Sequence, residues 1–284
     1  MAKFKVLFLF AVAVLFSFVA CNAVSAANHT VVWQDGRDGG MTSHIYYKNL
    51  DTGTGGRISK IDSYQDDPNI SGNIVVWTDN RDGSNYHIYY KNLATGTGGR
   101  VSNIDSFQYF PSISGNVVVW SDNRDGSNSH IYYKNLGTGQ GGKVANIDSY
   151  QTSPGISGST VVWMDDRDGS NYHIYYKNMA TGKGGRVSNT DSFQEFSSIS
   201  GNTVVWTDKR DGSNDHLYYK NLATGIGRRV SNTDSFQTYP IVSGNTVVWE
   251  DNRDGSNSHI YYKNLATGTG GRVSNTDSKQ YLKD

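Results

Sequence analysis

The sequence predicts an all-β fold: a six-bladed β-propeller with four-stranded antiparallel blades of about 43 residues. Three observations predict it. The stretch Val-Val-Trp-x-Asp-x-Arg-Asp-Gly, as in Val75 to Gly83, occurs six times. Its tryptophans, Trp33, Trp77, Trp120, Trp163, Trp206 and Trp249, are all the chain has; the first gap is 44 residues and the others 43. Turn signals arrive about every 8–12 residues, so no 3.6-residue apolar period survives between them and a helical reading fails. The structural rival, a linear β-solenoid, uses shorter coils.

The copy from Gln108 to Gln151 shows the four strands in order. Pro111-Ser112-Ile113-Ser114 is extended, and Gly115-Asn116 turns the chain. Val117-Val118-Val119-Trp120 is β-branched and aromatic and apolar on both faces, as expected for a strand covered on both sides. Asp122 to Gly126 is a hairpin loop, with Gly126 suited to the φ > 0 position of a bulged turn. His130 to Asn135 is the third strand. The run Gly137 to Gly142 turns again, and Lys143 to Asn146 is a short outer strand leading through Ile147 to Gln151 into the next copy. Packing such sheets face to face around an axis covers both faces of the second strand and protects sheet edges.

Ring closure is the irregular point. A first strand precedes every tryptophan except Trp33, before which stand Ala27-Asn28-His29-Thr30. The chain finishes at Gln280-Tyr281-Leu282-Lys283-Asp284, where a further first strand would begin. The first blade is therefore expected to be incomplete or closed by this C-terminal segment, residues 279–284.

Residues 1–26 have the pattern of an export signal: Lys3 and Lys5, an apolar run from Val6 to Ala20, and small residues at Val24-Ser25-Ala26. The expected organisation is a signal at 1–26 and a propeller at 27–284, exported to the cell surface, the periplasm or the medium. Cys21, the single cysteine, follows the apolar run as a lipobox cysteine would. It is a candidate lipidation site and the one route to a membrane, although Phe18 is bulky for that motif. Lys plus Arg and Asp plus Glu each total 26. A balance of charge removes the electrostatic argument for nucleic acid as a partner.

The run Ile-Ser-Gly-Asn-x-Val-Val-Trp, a polar hairpin, and then His-Ile-Tyr-Tyr-x-Asn-Leu-x-Thr-Gly resembles the TolB-like, or WD40-like PD40, six-bladed propellers, especially the repeat arrays of archaeal and bacterial cell-surface proteins. The resemblance covers residues 28–284 and implies the fold. Two departures stand out: Ser114-Gly115-Asn116 replaces the family's frequent Ser-Pro-Asp-Gly turn, and a histidine holds the often acidic position before Ile-Tyr. TolB carries an additional N-terminal α/β domain for which this chain has no room, so TolB's role in the envelope complex is not carried over.

One face is expected to gather the loops between the second and third strands and those leaving the fourth. It presents Asp79, Arg81 and Asp82, then Asp122, Arg124 and Asp125, and their equivalents around the ring. These are candidates for a polar recognition surface; their recurrence in every copy equally suits a structural role, arginines bridging blades and aspartates closing turns. Calcium is only weakly signalled by the oxygen-rich loop, because the spacing is not that of an EF-hand and Arg81 would lie within the site. No cofactor or metal is expected. The histidines His44, His87, His130, His173, His216 and His259 belong to different blades and are read as partly exposed strand residues that do not converge on one ion. Tyrosine pairs such as Tyr89-Tyr90 point to opposite faces and fill the seams.

A specific site requires asymmetry, so positions that break the repeat are informative. The only glutamates, Glu195 and Glu250, do so, as do Asp166, Lys183, Lys209, Asp215 and Arg228. Glu195 and Glu250 fall in adjacent blades, where a glycosidase-like carboxylate pair can be envisaged. Asn28 and Asn69 head glycosylation sequons. The expected function is a non-enzymatic binding or scaffold module for protein or glycan partners. The alternatives are a polysaccharide-cleaving hydrolase or lyase on the polar face and a purely structural envelope component.

Overall fold

The computed structural model describes residues 20–25, 29–37, 42–83, 85–169, 171–212, 214–255 and 257–282. They form six four-stranded antiparallel sheets, each ordered as the chain runs. Blade one contains β1 (Ala20–Ser25), β2 (Thr30–Asp35), β3 (His44–Asn49) and β4 (Gly55–Arg57); blade two contains β5 (Gln65–Ser71), β6 (Ile74–Asp79), β7 (His87–Asn92) and β8 (Gly98–Arg100). Blade three has β9 (Gln108–Ser114), β10 (Val117–Asp122), β11 (His130–Asn135) and β12 (Gly141–Lys143). Blade four has β13 (Gln151–Ser157), β14 (Thr160–Asp165), β15 (His173–Asn178) and β16 (Gly184–Arg186). Blade five has β17 (Gln194–Ser200), β18 (Thr203–Asp208), β19 (His216–Asn221) and β20 (Gly227–Arg229). Blade six has β21 (Gln237–Ser243), β22 (Thr246–Asp251), β23 (His259–Asn264) and β24 (Gly270–Arg272). The propeller predicted from the repeat is the observed fold.

The second strands explain the assembly. Successive side chains of a strand face opposite sides of its sheet. Val75 and Trp77 accordingly join Val32, Ile45 and Ile58 of blade one, whereas Val76 joins Val118 and Trp120 of blade three. Tyr89 enters the first of these clusters and Tyr90 packs on the second, so the tyrosine pair divides between seams as expected. The same arrangement joins blades three to four, four to five and five to six. Burying each Val, Ile or Trp contributes about 1.5–3 kcal/mol, and these seams are the hydrophobic core.

Polar contacts reinforce the seams. Lys91 Nζ donates to the Ile58 carbonyl of the preceding blade at 3.0 Å, and Lys134 repeats the contact with Val101 at 2.7 Å. At the opposite end of the inner strands, the Gly115 N–H donates to Ser71 Oγ at 2.9 Å. Gly158 to Ser114, Gly201 to Ser157 and Gly244 to Ser200 continue the series. These glycines follow Ser in the inner turn with φ near +57°, the conformation that Gly adopts without strain.

Blade one differs from the expectation. It is complete, and β1 supplies its inner strand, with Ala20 opposite Gln34 and Ser25 opposite Thr30. Residues 279–282 carry no strand. The physical reason is that β2 needs a partner along its inner edge and Ala20–Ser25, directly upstream, fills that edge first. Cys21 accordingly lies opposite Trp33 in the sheet. Residues 1–19 and 26–28, which hold most of the expected export signal, its cleavage point and Asn28, lie outside the described residues.

Candidate functional site

The recurring motif is occupied with building the blades. In blade two the Trp77 indole N–H donates to Asp79 at 2.9 Å, the Arg81 backbone N–H donates to the same carboxylate at 2.9 Å, and Ser63 Oγ donates at 2.8 Å. The Arg81 guanidinium pairs with Asp79 and lies 4.1 Å over the Tyr89 ring, which is itself stacked on Trp77. It also reaches Ser59 of blade one at 3.1 Å. Arg124 and Asp122 repeat the pattern with Trp120, Ser106, Tyr132 and Ser102. Each arginine therefore pairs within its own loop and touches the neighbouring blade through a serine. The aspartate is wholly inaccessible in every blade. Burial by itself would raise the Asp122 carboxyl, but hydrogen bonds from Arg124, Trp120 and Ser106 outweigh it and hold the group below the usual carboxylate range.

The second aspartate of the motif accepts from the third-strand tyrosine: Tyr132 donates to Asp125 at 2.6 Å, and Tyr89 donates to Asp82. Burial and this acceptor push the Tyr175, Tyr218 and Tyr261 hydroxyls up to about 12. Asp79, Arg81, Asp82, Asp122, Arg124 and Asp125 are thus committed to internal partners. The histidines are a correction to the sequence reading. They are buried rather than partly exposed, with His44, His87, His173 and His216 essentially inaccessible. His87 sits with Nδ1 3.6 Å from Asp82 and Nε2 3.2 Å from Asp105. Burial pushes its imidazole down, and Arg100 adds to the effect. Among the described residues, no group of three or more His, Cys, Asp or Glu gathers where it could hold a metal ion.

The positions that break the repeat behave differently. Asp166 replaces the asparagine of other copies and does the same work: it accepts the Tyr150 N–H at 2.9 Å, as Asn80 accepts that of Tyr64. Lys209, in the same column, does not. Its Nζ lies 3.7 Å from Asp215 and 5.0 Å from the Phe193 ring centre. Glu195, on β17, joins this charged group; burial raises its carboxyl, Lys209 opposes that and Asp215 adds to it. Burial raises Asp215 as well. The structure therefore brings Glu195 together with Lys209 and Asp215. Glu250, on β22 opposite Thr238, lies elsewhere and accepts the Leu282 N–H.

Glu250 lines the central cavity, a space of about 990 Å³ enclosed by the inner strands. Sequence reading missed the residues that shape it. Every inner strand of blades two to six breaks register after its second residue. At the break stand Asp67, Phe110, Ser153, Phe196 and Tyr239, all with φ between 48° and 52°. This left-handed conformation is costly for non-glycine residues, and it thrusts their side chains into the cavity. Phe196 and Tyr239 meet with ring centres 4.3 Å apart, while Phe110 stays 42% exposed. Asp67 and Glu250 are the charged residues lining the cavity, and among the described residues no lysine or arginine does so. A signal for this site was present in the sequence: while seam columns scarcely change, this column reads Asp, Phe, Ser, Phe, Tyr. Asn69, of the second sequon, also lines the cavity, a place inside the ring that a glycan would have to fill.

Six sheets around a cavity invite comparison with solved propellers. The chain is similar to TolB from Acinetobacter baumannii at 19% identity and a TM-score of 0.58, covering 89% of this chain and 61% of that one. A putative TolB from Agrobacterium tumefaciens gives 18% identity and 0.62, covering 83% and 90%. The fold is that of the TolB-like six-bladed propellers. Oligogalacturonate lyase in complex with manganese is also similar, at 15% identity and a TM-score of 0.63, covering 93% and 81%. At these identities the likeness shows the fold alone. No family model matches the sequence, and no curated protein matches it.

Proposed function

We propose that the chain is an exported cell-surface propeller that binds a protein or glycan partner at its central cavity without transforming it. The observation that carries this reading is the division between columns of the repeat. Columns that build seams are nearly constant, whereas the column lining the cavity changes from blade to blade and places aromatic rings, hydroxyls and carboxylates around one space. Concave sites lined by apolar and aromatic surface with a few polar groups are where ligands bind. The motif's own aspartates and arginines are engaged with tryptophan, tyrosine and serine, which leaves the cavity wall as the variable surface. The apolar signal run preceding the propeller supports export.

A second reading rests on Glu195. Its raised carboxyl beside Lys209 and Asp215 is the kind of perturbed group that general acids use, and supports a polysaccharide-cleaving activity. A glycan array combined with a reducing-end release assay separates the two. Binding without release, weakened at least tenfold by Phe110→Ala or Tyr239→Ala, is expected. Release of reducing ends that Glu195→Gln abolishes would overturn the binding reading in favour of the enzyme.

A further inference from the structure

Blade one takes its inner strand from two parts of the chain. The Gln280 N–H donates to the Ser258 carbonyl at 2.8 Å, and its side-chain Oε1 accepts the Ile260 N–H at 3.1 Å. The same two bonds open every inner strand from blade two onward: Gln108 with Tyr86 and Ile88, Gln151 with Ser129 and Ile131, Gln194 with Tyr172 and Ile174, and likewise Gln65 and Gln237. Gln280 therefore stands where a first strand begins. In those five blades the residue after the glutamine pairs with Thr78, Ser121, Met164, Thr207 or Glu250 of the second strand. The matching rung in blade one is Gln34, and Ala20 holds it. Tyr281 thus arrives at a filled slot, and the next residue turns aside so that the Leu282 N–H donates to Glu250.

We infer that the inner-strand slot of blade one is contested by two segments of this chain, Ala20–Ser25 and the segment starting at Gln280, and that removal of residues 1–26 transfers it to the second. The sequence fits the exchange. Asp277-Ser278-Lys279-Gln280-Tyr281 repeats Asp105-Ser106-Phe107-Gln108-Tyr109, and Leu282 falls in the column of Phe110 and Phe196. Removing Ala20–Ser25 leaves the inner edge of β2 without its ladder partner, and an open edge with unmade backbone hydrogen bonds recruits a strand. The segment after Gln280 is already anchored in register one residue away, so little loop-closure entropy opposes its entry. The exchange withdraws Leu282 from Glu250 and redraws that side of the cavity. Export processing after Ala26 would then set the final shape of the cavity wall.

The test compares a chain beginning at Ala20 with one beginning at Ala27, each intact and each truncated after Gln280, which preserves the glutamine's own bonds. Truncation is expected to lower the melting temperature of the Ala27 chain by about 4 °C or more and that of the Ala20 chain by about 1 °C or less. In the Ala27 chain it also removes hydrogen-exchange protection from Val31 to Gln34. Leu282→Pro in otherwise intact chains gives the same contrast should the truncated chain not fold, because proline cannot take the positive φ of this column. Equal shifts in both chains, or unprotected Val31 to Gln34 in the intact Ala27 chain, would overturn the inference. A dimer of the Ala27 chain that requires residues 281–284 would do so too, by showing that the slot is filled by another copy.

Discussion

Trp120 donates its indole N–H to Asp122, two residues further along the same strand, at 2.8 Å. Because alternate residues of a strand share a face, this contact keeps a tryptophan and a carboxylate side by side at the seam, with Arg124 folded back over Tyr132 to cover them. Asp122→Ala removes the acceptor while leaving the guanidinium covered. Breaking one half of a buried pair costs about 3–5 kcal/mol. Urea denaturation should show a loss of that size, and Asp82→Ala, whose carboxylate is a third exposed, should cost clearly less.

Acid should weaken the propeller in two stages. His87, His130 and His173 have imidazoles pushed down chiefly by burial, from an ordinary value of 6.5. The folded state favours their neutral forms, so this stability is present above about pH 6.5 and is lost as pH falls through the lower folded values. Asp122, Asp165, Asp208 and Asp251 are held below 3.8 despite burial, by their arginine, tryptophan and serine partners. Their contribution persists to about pH 3.8 and disappears as pH falls further through the folded values. Melting temperatures measured from pH 8 to pH 3 should decline first below 6.5 and then more steeply below 4. A triple His87, His130, His173 to Gln variant should lack the first decline.

Glu195 titrates in the opposite sense. Burial raises its carboxyl, so the fold bears a penalty for the charged form that is present above the folded value and absent below the ordinary value of 4.5. Glu195→Gln is expected to raise the melting temperature at pH 8 and leave it unchanged at pH 4. An equal change at both pH values would show that the carboxyl charge plays no part.

The residues at the register breaks give a trade-off between stability and binding. Ser153 and Phe110 both hold φ of 52°. Glycine takes that conformation freely, so Ser153→Gly should stabilise by about 1 kcal/mol. Phe110→Gly should be close to neutral in stability, since the ring is largely exposed, yet should weaken partner binding at the cavity. Chemical denaturation and the binding assay together check both statements.

The blades could be read from the chain almost strand by strand, because turn glycines, β-branched runs and the tryptophan period act locally. The ring's last junction could not. Whether Ala20–Ser25 or the segment from Gln280 pairs with β2 depends on competition between distant segments, which no local pattern encodes. The site was half legible. Glu195, Lys209 and Glu250 stood out as breaks in the repeat, and the structure gathers Lys209 and Asp215 around Glu195. The cavity residues Phe110, Phe196 and Tyr239 escaped notice because their exposure follows from a left-handed backbone turn within a strand, where an alternating pattern would have placed them differently. The histidines misled for a related reason: their polarity suggested exposure, but aspartates on either side of each seam make a buried place for them.

The bonds from Gly115 to Ser71, Gly158 to Ser114, Gly201 to Ser157 and Gly244 to Ser200 run in one direction around the molecule. Each blade offers a glycine N–H backward and a serine oxygen forward, so the contact between blades is head-to-tail rather than self-complementary. A unit of this kind can be copied without designing a new interface, since every copy already fits the one before it. The number of blades is then set by the angle that each seam imposes, and the sequence need only stop duplicating when the circle is full.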